Sequence, residues 1–164
     1  MIVRRLLTYL SGRLPEKVIS GPNGEPYLHR WFLGYLPWLE VEVYLHKFVG
    51  SDPDRGFHNH PWTWSFALIL AGRYLEYYHE GFGADGVRLR AKERKAPGFN
   101  WIGRHKWHRV LIGREAWTLF VHGKRVRRWG FMRPVINQQD DKGATWSVDL
   151  ELGEKTSSKW WRKI

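Results

Sequence analysis

The chain has 164 residues, no cysteine, 16% aromatic residues including 11 tryptophans, and a formal net charge of +11. That length suits one domain that buries enough surface to fold without staples. The missing cysteines exclude a disulfide framework, a thiolate zinc site, an iron–sulfur cluster and a cysteine nucleophile, and no apolar run approaches the ~18–20 residues of a membrane span.

Ile2, Val3, Leu6, Leu7, Leu10 and Leu14 recur three and four apart, which predicts one short amphipathic helix ending near Gly12 or Pro15. Arg13 and Glu16 follow too soon for this stretch to read as a signal peptide. Residues 20–26 form a loop by composition. Strands are expected from Tyr27 to Leu36 and from Glu40 to Phe48, where Val41, Val43 and Leu45 alternate with Glu42, Tyr44 and His46. Gly50 to Asp54 is a turn. Trp62 to Leu70 is a continuous apolar run, read as a buried strand closed by Gly72. Tyr74 to Tyr78 reopens a strand, residues 81–86 make a glycine-rich hairpin loop, and Val87 to Lys95 is a charged strand followed by a Pro97-Gly98 turn. Further strands are expected at His108 to Ile112, Trp117 to His122 and Arg125 to Phe131. Past residue 137 the pattern fades, with Thr145 to Leu152 able to add one edge strand.

Many short strands separated by turns predict an all-β sandwich or barrel. Three regions follow: an N-terminal helix and loop (1–26), the barrel (27–136) and a C-terminal extension (137–164). The extension ends in the basic, tryptophan-rich tail Lys159-Trp160-Trp161-Arg162-Lys163.

The charge is localised. Residues 86–135 hold 14 Lys/Arg against 2 Asp/Glu. Such a field concentrates anions, so carboxylate or phosphorylated small molecules and nucleic acid are the candidate partners. Tryptophans interleave with the charge in Arg104-His105-Lys106-Trp107 and Arg127-Arg128-Trp129, which is the chemistry of base stacking and equally of a large aromatic core. Arg73, Arg109 and the Arg125/Arg127 pair are the cations suited to orienting an acidic substrate, because a guanidinium fork binds two oxygens at once. Tyr74 and Trp62 are candidates for walling its pocket.

Eight histidines are present. In His58-Asn59-His60 the rings stand two residues apart, so on an extended strand both project to one side and converge on one point. His105-Lys106-Trp107-His108 follows after the intervening strands. Neutral imidazole is the commonest nitrogen ligand for zinc, iron, copper and nickel. His58 and His60 are therefore candidate ligands, with His105 and His108 both open as a third. His46 shares a face with Tyr44 and Phe48 and is a candidate for supporting the ligands. His29, His79 and His122 are read as polar strand or loop residues.

The stretch Gly56-Phe57-His58-Asn59-His60-Pro61-Trp62, with the apolar strand and Gly72 after it, resembles the first motif of the cupin superfamily. The segment from Pro97-Gly98 to Trp107-His108-Arg109-Val110 resembles the second, whose histidine completes a metal site, so the resemblance implies the ligand set His58, His60 and His108, with His105 as the alternative third ligand. The wider phrase Asp52 to Trp62 also resembles bacterial and phage cupin-like proteins, a likeness that adds no activity. The resemblance spans about residues 40–131. It implies a double-stranded β-helix, a small jelly-roll barrel, with a divalent metal, Fe(II) or Zn, inside its mouth. One departure is plain. The superfamily pattern places a glutamate four or five residues after the second histidine, where this chain has Trp64 and Ser65, and the next carboxylate is Glu76, beyond the glycine turn. The site is then either a three-histidine one, as in thiol dioxygenases and some ring-cleaving dioxygenases, or one that has lost its metal. Both differ from the two-histidine, one-carboxylate iron triad.

Three functions follow as expectations. The first is a metal-dependent, oxygenase-like enzyme, a dioxygenase or isomerase, acting on an anionic small molecule. The second is a non-catalytic ligand-binding or regulatory module. The third is a nucleic-acid-associated protein gripping phosphate and bases through residues 86–135 and the C-terminal tail. No P-loop, Gly-x-Gly-x-x-Gly or Ser–His–Asp pattern supports nucleotide or triad chemistry. The expected setting is cytoplasmic, without a membrane partner. The cupin resemblance implies pairing into a homodimer through edge strands.

Overall fold

The computed structural model describes residues 2–53, 56–83, 86–137 and 145–152. Among them, helix α1 (Ile2–Ser11) precedes two antiparallel six-stranded sheets. The first sheet runs β1 (Glu16–Ser20), β2 (Pro26–Leu36), β3 (Val41–Phe48), β10 (Ala116–His122), β5 (Trp64–Ala71), β8 (Gly98–Gly103). The second runs β12 (Thr145–Leu152), β11 (Gly130–Asn137), β4 (Phe57–Asn59), β9 (His108–Leu111), β6 (Arg73–Gly83), β7 (Gly86–Lys95). This is the expected all-β jelly roll with one short N-terminal helix. Among the described residues no helix is long and apolar enough to cross a membrane.

The inner faces meet in an aromatic and aliphatic core. Tyr44, Ala67, Ile102 and Phe120 of the first sheet pack with Trp62, while Ile69 and Ala116 meet Tyr74 and Val110 from the second. Leu7 of α1 packs with Trp31, Leu45, Ala71 and Trp117. The helix otherwise leaves its apolar side chains in solvent: Ile2, Val3, Leu6, Tyr9 and Leu10 are all exposed.

Several elements differ from the sequence reading: Phe57–Asn59 is a short strand of its own, and β6 continues through Gly83 into the expected loop. Residues 16–20 pair with β2 and so join the first sheet. Strand β8 hides from an alternation search because its pattern is inverted: polar Asn100 points inward with Ile102, while Phe99 and Trp101 face solvent. The last barrel strand begins at Gly130, not Arg125. Residues 125–127 instead hold the segment after β4, with the Val126 and Arg127 amides donating to the Pro61 carbonyl at 2.9 and 3.2 Å.

Gly72 turns β5 into β6 with φ of +78°, and a Cβ there would meet the Glu115 carbonyl oxygen at 2.3 Å. Gly72→Ala therefore loses about 1–3 kcal/mol of stability in urea unfolding. Gly34→Ala, with no atom within 4 Å of its Cβ, stays within about 0.5 kcal/mol of wild type. Equal stability of the two variants would discount the turn constraint.

Candidate metal centre

His58 in β4 is the register partner of His108 in β9, so these imidazoles leave adjacent strands on one face. His60 follows the end of β4 and is held by its backbone: Arg127 donates from Nε and a terminal nitrogen to the His60 carbonyl at 3.1 and 3.0 Å. The ring centroids stand 4.6 Å (His58–His108), 4.9 Å (His60–His108) and 5.4 Å (His58–His60) apart. One ligand nitrogen from each of the three lies within 4.8 Å of the others.

The hydrogen bonds around the rings define their tautomers. His108 Nδ1 donates to Glu76 Oε1 at 2.8 Å. His60 Nδ1 donates to Ser65 Oγ at 3.0 Å, because the Ser65 hydroxyl proton is already given to the Ile102 carbonyl. Both Nδ1 atoms are thus spent as donors, and the two Nε2 atoms face each other at 2.9 Å. Two bare lone pairs repel at that distance, so the contact requires a positive charge between them, a proton or a metal ion. Metal–nitrogen bonds of about 2.0–2.1 Å bring two ligands of one ion to about 3 Å, so the pair fits a shared ion.

Glu76 is fully buried. Its Oε1 accepts from His108, from Lys106 Nζ at 2.7 Å and from Asn100 Nδ2 at 3.1 Å; its Oε2 accepts from Arg94 at 2.9 and 2.8 Å. Burial alone would push this carboxyl up, but the His108 hydrogen bond and charge, with Lys106, hold it well below the usual range. Asp52 stands 3.5 Å from His58 Nδ1 and accepts the Val110 amide at 2.7 Å. Burial nevertheless pushes it up to about 6. His58 and His60 are held well below their ordinary range by burial and then by His108, which keeps them neutral at pH 7, the state a ligand must have.

The three rings open on a cavity of about 620 Å³. Trp62 and Tyr74 line it, together with Phe120 and Trp129. The other sequence candidates lie elsewhere. His105 is exposed on a turn with its ring against Arg104, and it is not part of the histidine cluster. Arg73 is exposed and reaches Glu93 at 3.3 Å. Arg109 alternates with the buried His108 and Val110 along β9 and does not line the cavity. Arg127 clasps the His60 backbone. The basic segment is divided: Arg94 and Lys106 turn to Glu76, while Arg88, Arg90 and Lys92 lie exposed along β7. The tail 155–164 lies outside the described residues.

Sequence reasoning gave no site role to Glu76, Asp52 or Ser65. A usable signal existed for Glu76: it alternates with Leu75 and Tyr77, so it shares the inward face of Tyr74. A lone carboxylate among apolar inward positions asks for buried partners. No such signal existed for Ser65, whose role depends on the fold back of residue 102.

No protein-family model matches the sequence, and no curated protein matches it. Solved structures do match. Fe(II) HppE superposes with a TM-score of 0.52 at 12% identity, over 68% of this chain and 57% of that one. The formate complex of Lactobacillus farciminis oxalate decarboxylase gives 0.50 at 11%, over 70% and 32%. An RmlC-like cupin from Shewanella frigidimarina gives 0.49 at 16%, over 68% and 85%. The chain thus spans little more than half the length of the first of these. The paired sheets, the histidines at the start of one barrel arm and the third on the strand beside it give this chain the cupin fold.

Proposed function

We propose that this protein is a metal-dependent cupin enzyme that acts on a small anionic molecule at a centre formed by His58, His60 and His108. The observation that carries the reading is the 2.9 Å contact between the His60 and His108 Nε2 atoms, both already committed to donors at Nδ1. Fe(II) or Zn(II) in place of the bridging proton would supply Lewis acidity, and iron would add the redox chemistry of an oxygenase.

This chain's own groups define the rest. Three neutral ligands leave a divalent charge uncompensated, which favours an anionic ligand beside it. Glu76 orients the His108 ring and raises its basicity, and Ser65 does the weaker equivalent for His60. Trp62, Phe120 and Trp129 keep bulk water from the rings and strengthen electrostatic attraction inside the cavity. A planar or extended molecule fits a space of about 620 Å³ walled by aromatic rings.

Elemental analysis tests the centre. The wild-type chain takes up about one equivalent of Fe(II) or Zn(II), and His58→Ala and His108→Ala do not. A wild type that stays metal-free when titrated with both ions leaves a proton bridge between the rings and a non-catalytic ligand-binding module. The supporting residues give a second measurement. In competition with a chelator, Glu76→Gln weakens metal affinity about 10–100-fold while the circular dichroism spectrum is kept, and Ser65→Ala weakens it by less. Unchanged affinity in Glu76→Gln would remove that residue from the site.

A further inference from the structure

The wall opposite the histidines carries a row of polar groups that the metal centre does not use. Register places Lys17 of β1 beside Arg30 of β2, Arg30 beside His46 of β3, and His46 beside Thr118 of β10. Directly paired residues on neighbouring strands share a face, and all four line the cavity. Arg30 Nε, His46 Nε2 and Thr118 Oγ1 are buried and have no hydrogen-bond partner among the described residues. A buried donor left unmade costs about 1–3 kcal/mol, more when it is charged.

Among the described residues neither Arg30 nor Lys17 forms an ion pair. The Arg30 guanidinium lies on the Tyr44 ring at 3.6 Å and within 5.9 Å of the Trp62 ring. Glu42, the carboxylate that acts on it, accepts the Tyr44 hydroxyl and stands 3.7 Å from His122 instead. Burial lowers both Arg30 and Lys17, and the Arg30 charge lowers Lys17 further. Two adjacent cations, three orphaned polar atoms and an open cavity describe a place where an oxyanion belongs.

We infer that Lys17, Arg30, His46 and Thr118 form an oxyanion subsite that holds the carboxylate or phosphonate end of a small organic acid while its other end faces the three histidines. The separation suits a short molecule: Trp62 lies between, 5.3 Å from the His60 ring and 5.9 Å from the Arg30 guanidinium carbon, and Phe120 stands 4.9 Å from His46 and 5.6 Å from His60. Only the assignment of the far end of the ligand rests on the proposed metal centre; the oxyanion subsite stands without it.

The test titrates the full chain with sodium acetate and with methylphosphonate at constant ionic strength, following tryptophan fluorescence. The wild type gives a saturable change with at least one anion, and the stronger of the two identifies the carboxylate or phosphonate class. Arg30→Met weakens that binding at least about tenfold and Thr118→Val about three- to tenfold. Both keep the wild-type circular dichroism and metal content, and Arg73→Met binds as wild type. His108→Ala, which lacks a ligand of the proposed ion, still binds the anion, so failure of the metal reading shows separately. No saturable response in the wild type overturns the inference. So does wild-type binding by folded Arg30→Met and Thr118→Val, or binding that His108→Ala abolishes and Arg30→Met retains, which would put the anion on the metal.

Discussion

The hydrogen bond from His108 to the buried Glu76 carboxylate organises the interior of this protein. Glu76 is a charge with no exposed surface, and it is tolerable only because Lys106, Arg94, Asn100 and His108 all donate to it. Those partners come from β7, β8, the turn before β9 and β9 itself, so satisfying one carboxylate of β6 ties together one end of the barrel. The same bond commits His108 Nδ1 and turns Nε2 toward His60. The electrostatics of the site and the packing of the strands around it are therefore one arrangement.

The two sheets divide the chemistry. The second sheet, with the segment that leaves it at His60, presents three imidazoles; the first presents Lys17, Arg30, His46 and Thr118 across four neighbouring strands. Aromatic rings from both separate the two groups. Each side lacks something: the imidazoles need a cation between Nε2 atoms, and the row needs acceptors. A divalent ion held by the imidazoles would attract oxygen donors, as would the cationic row, so the cavity favours a ligand with an electron-rich group at each end, and low dielectric between aromatic walls makes both attractions stronger than they would be in water.

The cluster of positive charge in residues 86–135 has a different meaning in the fold than in the chain. Arg94 and Lys106 neutralise Glu76, and Arg127 holds the His60 backbone. These cations support the centre rather than face a ligand. The cations that line the cavity, Lys17 and Arg30, come from a segment whose net charge is close to zero.

Local pattern determined a good deal by itself. The all-β class followed from short apolar alternations broken by glycine and proline, and the convergence of the i, i+2 histidines was legible because strand geometry puts such residues on one side, while the distant third entered through the cupin resemblance. Trp62 and Tyr74, offered by the sequence as wall candidates, do line the cavity. Strand order was not, and the supporting residues depend on strand order. Glu76 meets His108 because β6 lies beside β9, Ser65 is left to accept from His60 because β5 pairs with β8 and its hydroxyl is given to Ile102, and Lys17, Arg30, His46 and Thr118 align because β1, β2, β3 and β10 are neighbours. Period-two alternation tells which side of a sheet a residue faces, but not what stands across from it. That is set by long-range backbone pairing, and so tertiary structure alone decided which charges are neutralised in the core and which line the cavity.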